Sequence, residues 1–393
     1  MPILRASRPG GVVLGLLLLL LQVIAGAAPV PVRFDAGTFD PLVLSGIRAG
    51  VYPGAALVVG RRDSVLFEKG YGHLTWSASS AAVDPDQTLY DVASLTKVIA
   101  TTTSLMILVD RGKVRLDAPV ASYVPEFNGP GTERITVRHL LTHTSGLPAT
   151  LPLARETRDS AAALRMVFAA TPVSPVGAHV LYSDVNAILL GEIVRRAVGE
   201  PLDRFAAREI FEPLGLQHML FRPPSGMQSH IAPTGLWHGH PVAGVVNDPN
   251  AARLGGVAGH AGLFATADDV ARFAQFILRQ GALPDGRQLV RAETVRLFTT
   301  RATPGTGREA RALGWQAVPT GETVSSAGTL FGPRSFGHTG WTGTSLWFDP
   351  DRDLFVVLFT NRSFAPRAGR SFTRLKEVRG SVADAAARAS DAR

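Results

Sequence analysis

The 393-residue sequence predicts an α+β fold within the broad α/β class: one composite domain over about 35–390, with a sheet drawn from both ends of the chain and a helical region inserted at about 115–235. Three observations predict it. Runs rich in β-branched and aromatic residues, broken by short polar turns, lie in the first third and again near the end. Amphipathic stretches with helical spacing fill the middle. The composition, 46% hydrophobic and 18% charged, suits a chain that buries a sizeable core.

The first element is not part of that domain. Arg5 and Arg8 precede an apolar run from Val12 to Ala25, and Ala25-Gly26-Ala27 follows as an A-x-A site. Charged, apolar, then small residues are the order of a secretory signal, so 1–27 is expected to be removed and the protein exported, periplasmic or extracellular. The apolar run is shorter than the ~20 residues a spanning helix needs, and membrane contact is expected only if the signal is retained.

Next, Ala55–Gly60 and Ser64–Gly70 flank Arg61-Arg62-Asp63 and predict a hairpin. Residues 94–111 predict a helix with Ile99, Leu105, Leu108 and Val109 on its buried side and Gly112 as its stop. Further helices are expected over 136–143, 186–198, 201–211 and 267–280, the last opened by Thr266 and Asp268. Ser345–Phe348 and Leu354–Thr360 flank a Pro/Asp turn and predict two more strands. Beyond Arg370, Phe372, Leu375, Val378 and Val382 fall at helical spacing and predict a helix that packs on the sheet.

Charge and cysteine usage exclude several functions. The net charge of +8 is concentrated at the ends, with +2 in 1–27 and +5 in 362–393, so the body is close to neutral. A body without a basic stripe argues against a nucleic-acid partner. There is no cysteine, hence no disulfide, thiol nucleophile or Cys-based zinc site. Only four of the 40 basic residues are lysines: Lys69, Lys97, Lys113 and Lys376. Arginine does not give up its proton in a protein, so a lysine in this chain marks a place where a deprotonatable amine matters. Lys69 and Lys113 sit near glycines and read as solvated turn residues.

The chemistry gathers around one of those lysines. Ser94-Leu95-Thr96-Lys97 places a hydroxyl and an amine on one helix face. A serine hydroxyl needs a base to act as a nucleophile, and a lysine whose pKa is lowered can supply one. A helix start also offers free N–H groups to a developing oxyanion. A serine there equally serves as a helix cap, so the motif does not decide alone. Tyr182-Ser183-Asp184 precedes another helix; the tyrosine is a proton shuttle or a buried aromatic. Gly337-His338-Thr339-Gly340-Trp341 precedes a strand and is a substrate-binding edge or a Gly-rich turn. His139 and His143 have i, i+4 spacing, but no glutamate follows His139 and the other histidines fit no zinc pattern, so neither metal nor cofactor is expected. His260, among glycines, lines the cleft or serves as a structural hydrogen-bonding histidine.

Taken in order, Ser-x-x-Lys, Tyr-x-Asp and His-Thr-Gly before a C-terminal strand resemble the serine β-lactamase and penicillin-binding-protein superfamily, in its class C β-lactamase-like branch. Leu89–Ala93, Thr136–Pro148 and Gly255–Phe264 support the resemblance, which spans roughly Phe39 to Ala387. It implies a β-lactamase/transpeptidase-like fold: an antiparallel sheet flanked by helices, plus an all-α lobe, with the site between. It also implies that Ser94 forms an acyl-enzyme, that Lys97 takes its proton directly or through Tyr182, and that Tyr182 protonates the leaving group. The N–H groups of Ser94 and Trp341 would form the oxyanion hole, and Asp184, His338, Thr339, Gly340 and His260 would line the substrate.

Two departures from the family pattern matter. Asp184 stands where the second motif usually has Asn, and a carboxylate there would keep Lys97 charged and shift the base role to Tyr182. His338 stands where the third motif usually begins with Lys, which removes a permanent positive charge. The site would then bind carboxylate-bearing substrates weakly, and better near pH 5.5, where histidine protonates. The Gly255–Gly262 and Gly337–Thr344 stretches look most like N-acetylmuramoyl-L-alanine amidases of muropeptide rescue. The expected substrate is therefore a muropeptide or a small molecule with an amide or ester bond. Esterase, D-Ala-D-Ala carboxypeptidase and β-lactamase are the alternatives, with an inactive peptidoglycan or penicillin sensor as a non-enzymatic one.

Overall fold

The computed structural model describes residues 33–304, 310–318, 325–366 and 371–392. The expected signal, 1–27, lies outside the described residues, and no described helix is long and apolar enough to cross a membrane.

The centre of the fold is a six-stranded antiparallel sheet. Its strands are β1 (Gly54–Arg61), β2 (Ser64–Gly72), β3 (Gln316–Ala317), β4 (Phe336–Thr339), β5 (Ser345–Asp349) and β6 (Leu354–Thr360), in spatial order β2-β1-β6-β5-β4-β3. Strands from the two ends of the chain meet at β1 and β6, with Val58 opposite Val357. Both expected hairpins are present, the first longer than the sequence suggested because pairing continues to Gly54 opposite Gly72.

The inner strands of the sheet are buried on both faces and divide their side chains with period 2. Leu57, Val59, Trp347, Val356 and Leu358 point to a core shared with α1 (Ala36–Arg48) and the C-terminal helix α5 (Phe372–Asp391). Val58, Leu346, Phe348, Val357 and Phe359 point to the main core, shared with α2 (Thr103–Asp110), α3 (Asp184–Val198) and α4 (Ala267–Leu278). Thr266 caps α4 as expected, accepting from the Asp269 N–H.

Helices and loops dominate the stretch between the two sets of strands, broken by short ribbons. One strand, Leu263–Ala265, pairs with both Tyr90–Asp91 and Leu220–Phe221 and so ties the nucleophile segment to this region.

Three local readings need correction. Leu375, Val378 and Val382 of α5 are buried, but Phe372 is 43% exposed and lies 4.8 Å from the Trp341 ring, not on the sheet. Lys69 is in β2 and pairs with Asp40 at 2.7 Å, so it is not a turn residue. The helix over 136–143 stops at Leu141, and His143 has φ 58°. His139 and His143 therefore do not share a helix face: His139 Nδ1 bonds the Thr136 hydroxyl at 3.0 Å.

Candidate active site

Three segments converge on a cleft of about 520 Å³ lined by Ser94, Tyr182, Arg311, His338, Thr339, Gly340, Trp341 and residues of α5. The first segment is the turn into the nucleophile helix. Ala93 sits at φ 49°, a conformation that an L-residue holds only under constraint. Its N–H donates to Asp91 Oδ1 at 2.8 Å, and Asp91 Oδ2 accepts from the Asn247 N–H at 2.6 Å. Asp91 is fully buried, and burial pushes its carboxyl up to about 6 against those two donors. It fixes the Ser94 turn to the loop that carries Asp248. The helix after Ser94 is not regular: Lys97–Thr102 is a π-helical turn before α2 begins, a distortion that frequently marks functional sites.

Lys97 is 3% exposed, and three acceptors surround its ammonium. Nζ donates to Ser94 Oγ at 2.9 Å and to the His260 carbonyl at 3.0 Å, and pairs with Asp184 Oδ1 at 2.8 Å. Burial alone would lower its pKa, but the Asp184 carboxylate and the Tyr182 phenol outweigh it and the net direction is upward. Lys97 is thus a charged, fully engaged donor.

Asp184 and Tyr182 come from the second segment, at the start of α3. That helix begins two residues earlier than expected because Ser183 caps it, accepting from the Asn186 N–H at 3.2 Å. The Tyr182 ring lies 5.0 Å from Lys97 Nζ, 4.7 Å from the His143 ring and 5.8 Å from the His338 ring. His143 is buried; its Nδ1 accepts from the Ser183 N–H and contacts Asn186 Nδ2, both at 3.2 Å. Burial, then Arg311, Lys97 and His338, push its pKa well below the ordinary histidine value, so it is a neutral support beneath Tyr182.

The third segment is β4 and the loop after it. Thr342 Oγ1 donates to the Asp91 carbonyl at 2.7 Å and Thr344 Oγ1 to the Val92 carbonyl at 3.0 Å, which ties this loop to the nucleophile turn. Gly340 has no space for a side chain: a Cβ would collide with the Thr344 hydroxyl and the Val92 carbonyl. The Ser94 and Trp341 main-chain N–H groups, one on each side of this junction, have no acceptor among the described residues. Arg362 Nη2 donates to the Trp341 carbonyl at 2.8 Å, and Arg379 Nη2 to the Thr344 carbonyl at 2.7 Å.

Two expectations about charge are overturned. His338 is 4% exposed, and burial, Arg311 and Lys97 push it down to about 3. It is neutral at pH 5.5 and gains no charge there. Nor does the cleft lack a permanent cation. Arg311, absent from the sequence reading, lines it at 6% exposure with its Cζ 5.3 Å from the Tyr182 ring. No side-chain partner among the described residues meets its guanidinium, and its buried Nε has no acceptor. Burial pushes its pKa down, opposed by Tyr182.

His260 follows the structural one of its two expected roles and not the substrate-lining one. It is 1% exposed and does not line the cleft, and its Nε2 lies 3.0 Å from Asp248 Oδ1. Its main-chain carbonyl is the part that reaches Lys97. Against its burial, the His260 contact, then the Ala251 N–H and Lys97, pull the Asp248 carboxyl down to about 2. Asp184, Asp248 and His260 offer ligand atoms within 4.8 Å of one another, and the Lys97 ammonium already supplies that cluster with a cation.

Residues 39–379 match the family described as "Beta-lactamase". The chain is 33% identical over 356 residues to an Escherichia coli (strain K12) protein named "Putative D-alanyl-D-alanine carboxypeptidase", covering 81% of this chain and 80% of that one. A penicillin-binding-protein homologue from Caulobacter crescentus superposes with a TM-score of 0.71 at 22% identity, over 91% of this chain and 99% of the other. A class C beta-lactamase superposes at 0.69 and 22% identity, over 87% and 95%. Those two likenesses establish the β-lactamase/transpeptidase-like fold expected from the sequence, and the chain belongs to the beta-lactamase family of serine hydrolases.

Proposed function

We propose that this hydrolase is a serine carboxypeptidase acting on cell-wall peptides with a free terminal carboxylate, of the D-alanyl-D-alanine type. The observation that carries the reading is Arg311, a buried guanidinium that lines the cleft with Ser94 and has no acid among the described residues to pair with. An unpaired buried charge is costly, and a substrate carboxylate is its natural complement. The name borne by the Escherichia coli relative supports the same substrate class.

In this reading Ser94 Oγ attacks the carbonyl of the penultimate residue. Lys97 has all three N–H groups engaged, so it orients Ser94 and stabilises developing negative charge, and Tyr182 relays the proton. Its phenol oxygen receives the Ser94 proton as its own hydroxyl proton passes to the leaving nitrogen, which frees the terminal residue and leaves Tyr182 neutral. The Ser94 and Trp341 N–H groups meet the oxyanion. Water attacks the acyl-enzyme along the same proton route and restores Ser94. His338 and Thr339 offer neutral hydrogen bonds to the carboxylate that Arg311 holds, and Gly340 lets the substrate backbone lie against β4.

Export belongs to the same proposal. It rests on the charged, apolar and small-residue order of 1–27, and N-terminal sequencing should find the mature protein beginning at or near Ala28.

The test is kcat/KM on one preparation for a peptide ending in D-Ala-D-Ala, the same peptide as its C-terminal amide, a muramoyl-L-alanyl peptide and nitrocefin. The free acid should exceed the amide by about tenfold or more, the worth of a charge-assisted hydrogen bond. Preferential cleavage of the muramoyl–L-alanine bond would replace this reading with the amidase one.

A further inference from the structure

The cleft does not end at Trp341. The exposed residues Trp341 and Phe372 line it, and both also line a smaller pocket together with Thr234 and Asn247. Asn247 Nδ2 donates to the Thr234 carbonyl at 3.4 Å, and the Thr234 N–H donates to the Val242 carbonyl at 2.9 Å. Pro233, the residue before Thr234, and Val242 in turn line a groove of about 760 Å³. That groove is tied to the central sheet. Asn361, the residue after β6, donates through Nδ2 to the Leu74 carbonyl at 2.8 Å and to the Pro233 carbonyl at 3.3 Å, and Leu74 and Pro233 both line the groove.

One edge of the groove is a two-stranded ribbon, Gly235–Trp237 against His240–Val242. Trp237 pairs with His240, so the turn between them has two residues, His238 at φ 48° and Gly239 at φ 82°. Two left-handed residues in a two-residue loop match the twist of the flanking strands. The turn leaves Trp237 at the tip of the ribbon, 70% exposed, with the His238 ring edge-on at 4.8 Å. A two-stranded ribbon is marginal by itself, and an indole held in water adds nothing to its stability. An exposed ring lining a groove is the mark of a surface that binds something.

The lining sets the chemistry of the ligand. Thr75, Ser80, Gln228 and Ser229 offer uncharged hydrogen-bonding groups, and no described residue of the groove is Asp, Glu, Lys or Arg. A charged polymer would find no counter-charge there. A neutral sugar chain fits: the apolar C–H face of a pyranose ring covers an indole, while hydroxyl and N-acetyl groups meet the amide and hydroxyl side chains.

We propose that this groove binds sugar rings of the cell-wall glycan, so that the enzyme acts by preference on peptides still attached to their strand. The choice of that glycan rests on the cell-wall peptide reading of the active site; the neutral, aromatic character of the groove does not. No bond is made or broken in the groove, which holds the strand while the cleft cuts its peptide.

Two substrates with the same peptide test it, one free and one carried on uncrosslinked glycan strands. Per peptide, the strand-borne substrate should exceed the free one in kcat/KM by about tenfold or more, the worth of one well-stacked ring, with the gain in KM. Trp237→Ala should bring that ratio below about threefold, and Trp237→Phe should keep most of it. Equal kcat/KM for the two substrates, or a ratio that survives Trp237→Ala, overturns the proposal. If neither substrate is cleaved, the carboxypeptidase reading has failed separately. The groove then stands or falls on calorimetry with chitotetraose, a neutral N-acetylglucosamine chain. It should bind saturably, and about tenfold or more weakly to Trp237→Ala; no binding, or equal binding by both proteins, overturns the groove. Self-association that Trp237→Ala abolishes and chitotetraose does not displace would assign the ribbon to a second copy of the chain and overturn it too.

Discussion

The two sides of the cleft treat buried charge in opposite ways. On the Lys97 side every charge is answered: Lys97 pairs with Asp184, and the Asp248 carboxylate meets the His260 ring and the Ala251 N–H. On the Arg311 side two guanidiniums line the cleft and meet no carboxylate among the described residues. Paired charges hold a geometry that has to exist before substrate arrives. Unpaired ones raise the energy of the empty protein and are repaid when an anion binds. The comparison thus separates machinery from recognition without a ligand in view.

The strongest way to break that division is at its boundary. Ser94→Ala should cut turnover by about four orders of magnitude or more and abolish fluorophosphonate labelling. Labelling that persists would move the nucleophile elsewhere. Lys97→Arg keeps the charge but replaces the compact ammonium that reaches three acceptors at once, and turnover should fall by about two orders of magnitude. Near-normal activity in that variant would reduce Lys97 to a structural role.

Arg311→Gln tests recognition alone. The preference for a free-acid peptide over its amide should collapse from about tenfold or more to near unity. An unchanged preference would place the carboxylate elsewhere.

Stability should separate the sides by sign. Asp184→Asn strands the Lys97 charge and should cost about 1–3 kcal/mol in denaturant unfolding, the lower end reflecting the 26% exposure of Asp184. Arg311→Met removes an unanswered charge at similar volume and should stabilise the fold by about 1 kcal/mol. Two destabilised variants would erase the distinction.

The last effect is with pH. His338 stays neutral in the folded protein down to about 3, while the unfolded chain protonates it near its ordinary value of about 6.5. The stability it contributes is complete above about pH 6.5 and is lost as pH falls toward 3, at up to about 1.4 kcal/mol per unit. His338→Gln should therefore lose less stability than the parent between pH 7 and 5. The free-acid to amide ratio should stay flat from pH 8 to 5.5, and a rise toward acid would mean that His338 does protonate in the cleft.

Much of this was legible in the chain because it is local. Alternating apolar runs around Arg62-Asp63 and Pro350–Asp353 announce hairpins, Thr266 announces a helix start, and Ser94 with Lys97 announces a shared face. Arg311 announced nothing. It is one of 36 arginines, and its isolation from any acid is created by packing between segments far apart in sequence. The π-helical turn at Lys97, the left-handed His143 and the outward Phe372 have the same origin. Local spacing predicted a regular helix in each case, and contacts from elsewhere in the fold won. His338 was misjudged for a related reason: its residue type suggests titration near neutrality, and only burial beside two cations removes it.

The threonine ties between the nucleophile turn and the loop after β4 also set a timetable. Ser94 and its lysine leave the ribosome some 250 residues before Trp341, the residue offering the other unclaimed N–H. Until Thr342 and Thr344 arrive to bond the carbonyls of Asp91 and Val92, the serine faces half a pocket. A nascent or truncated chain ending before Trp341 therefore carries the reactive residue in a silent form. For an exported enzyme, as proposed above, that order assembles the point of cutting last.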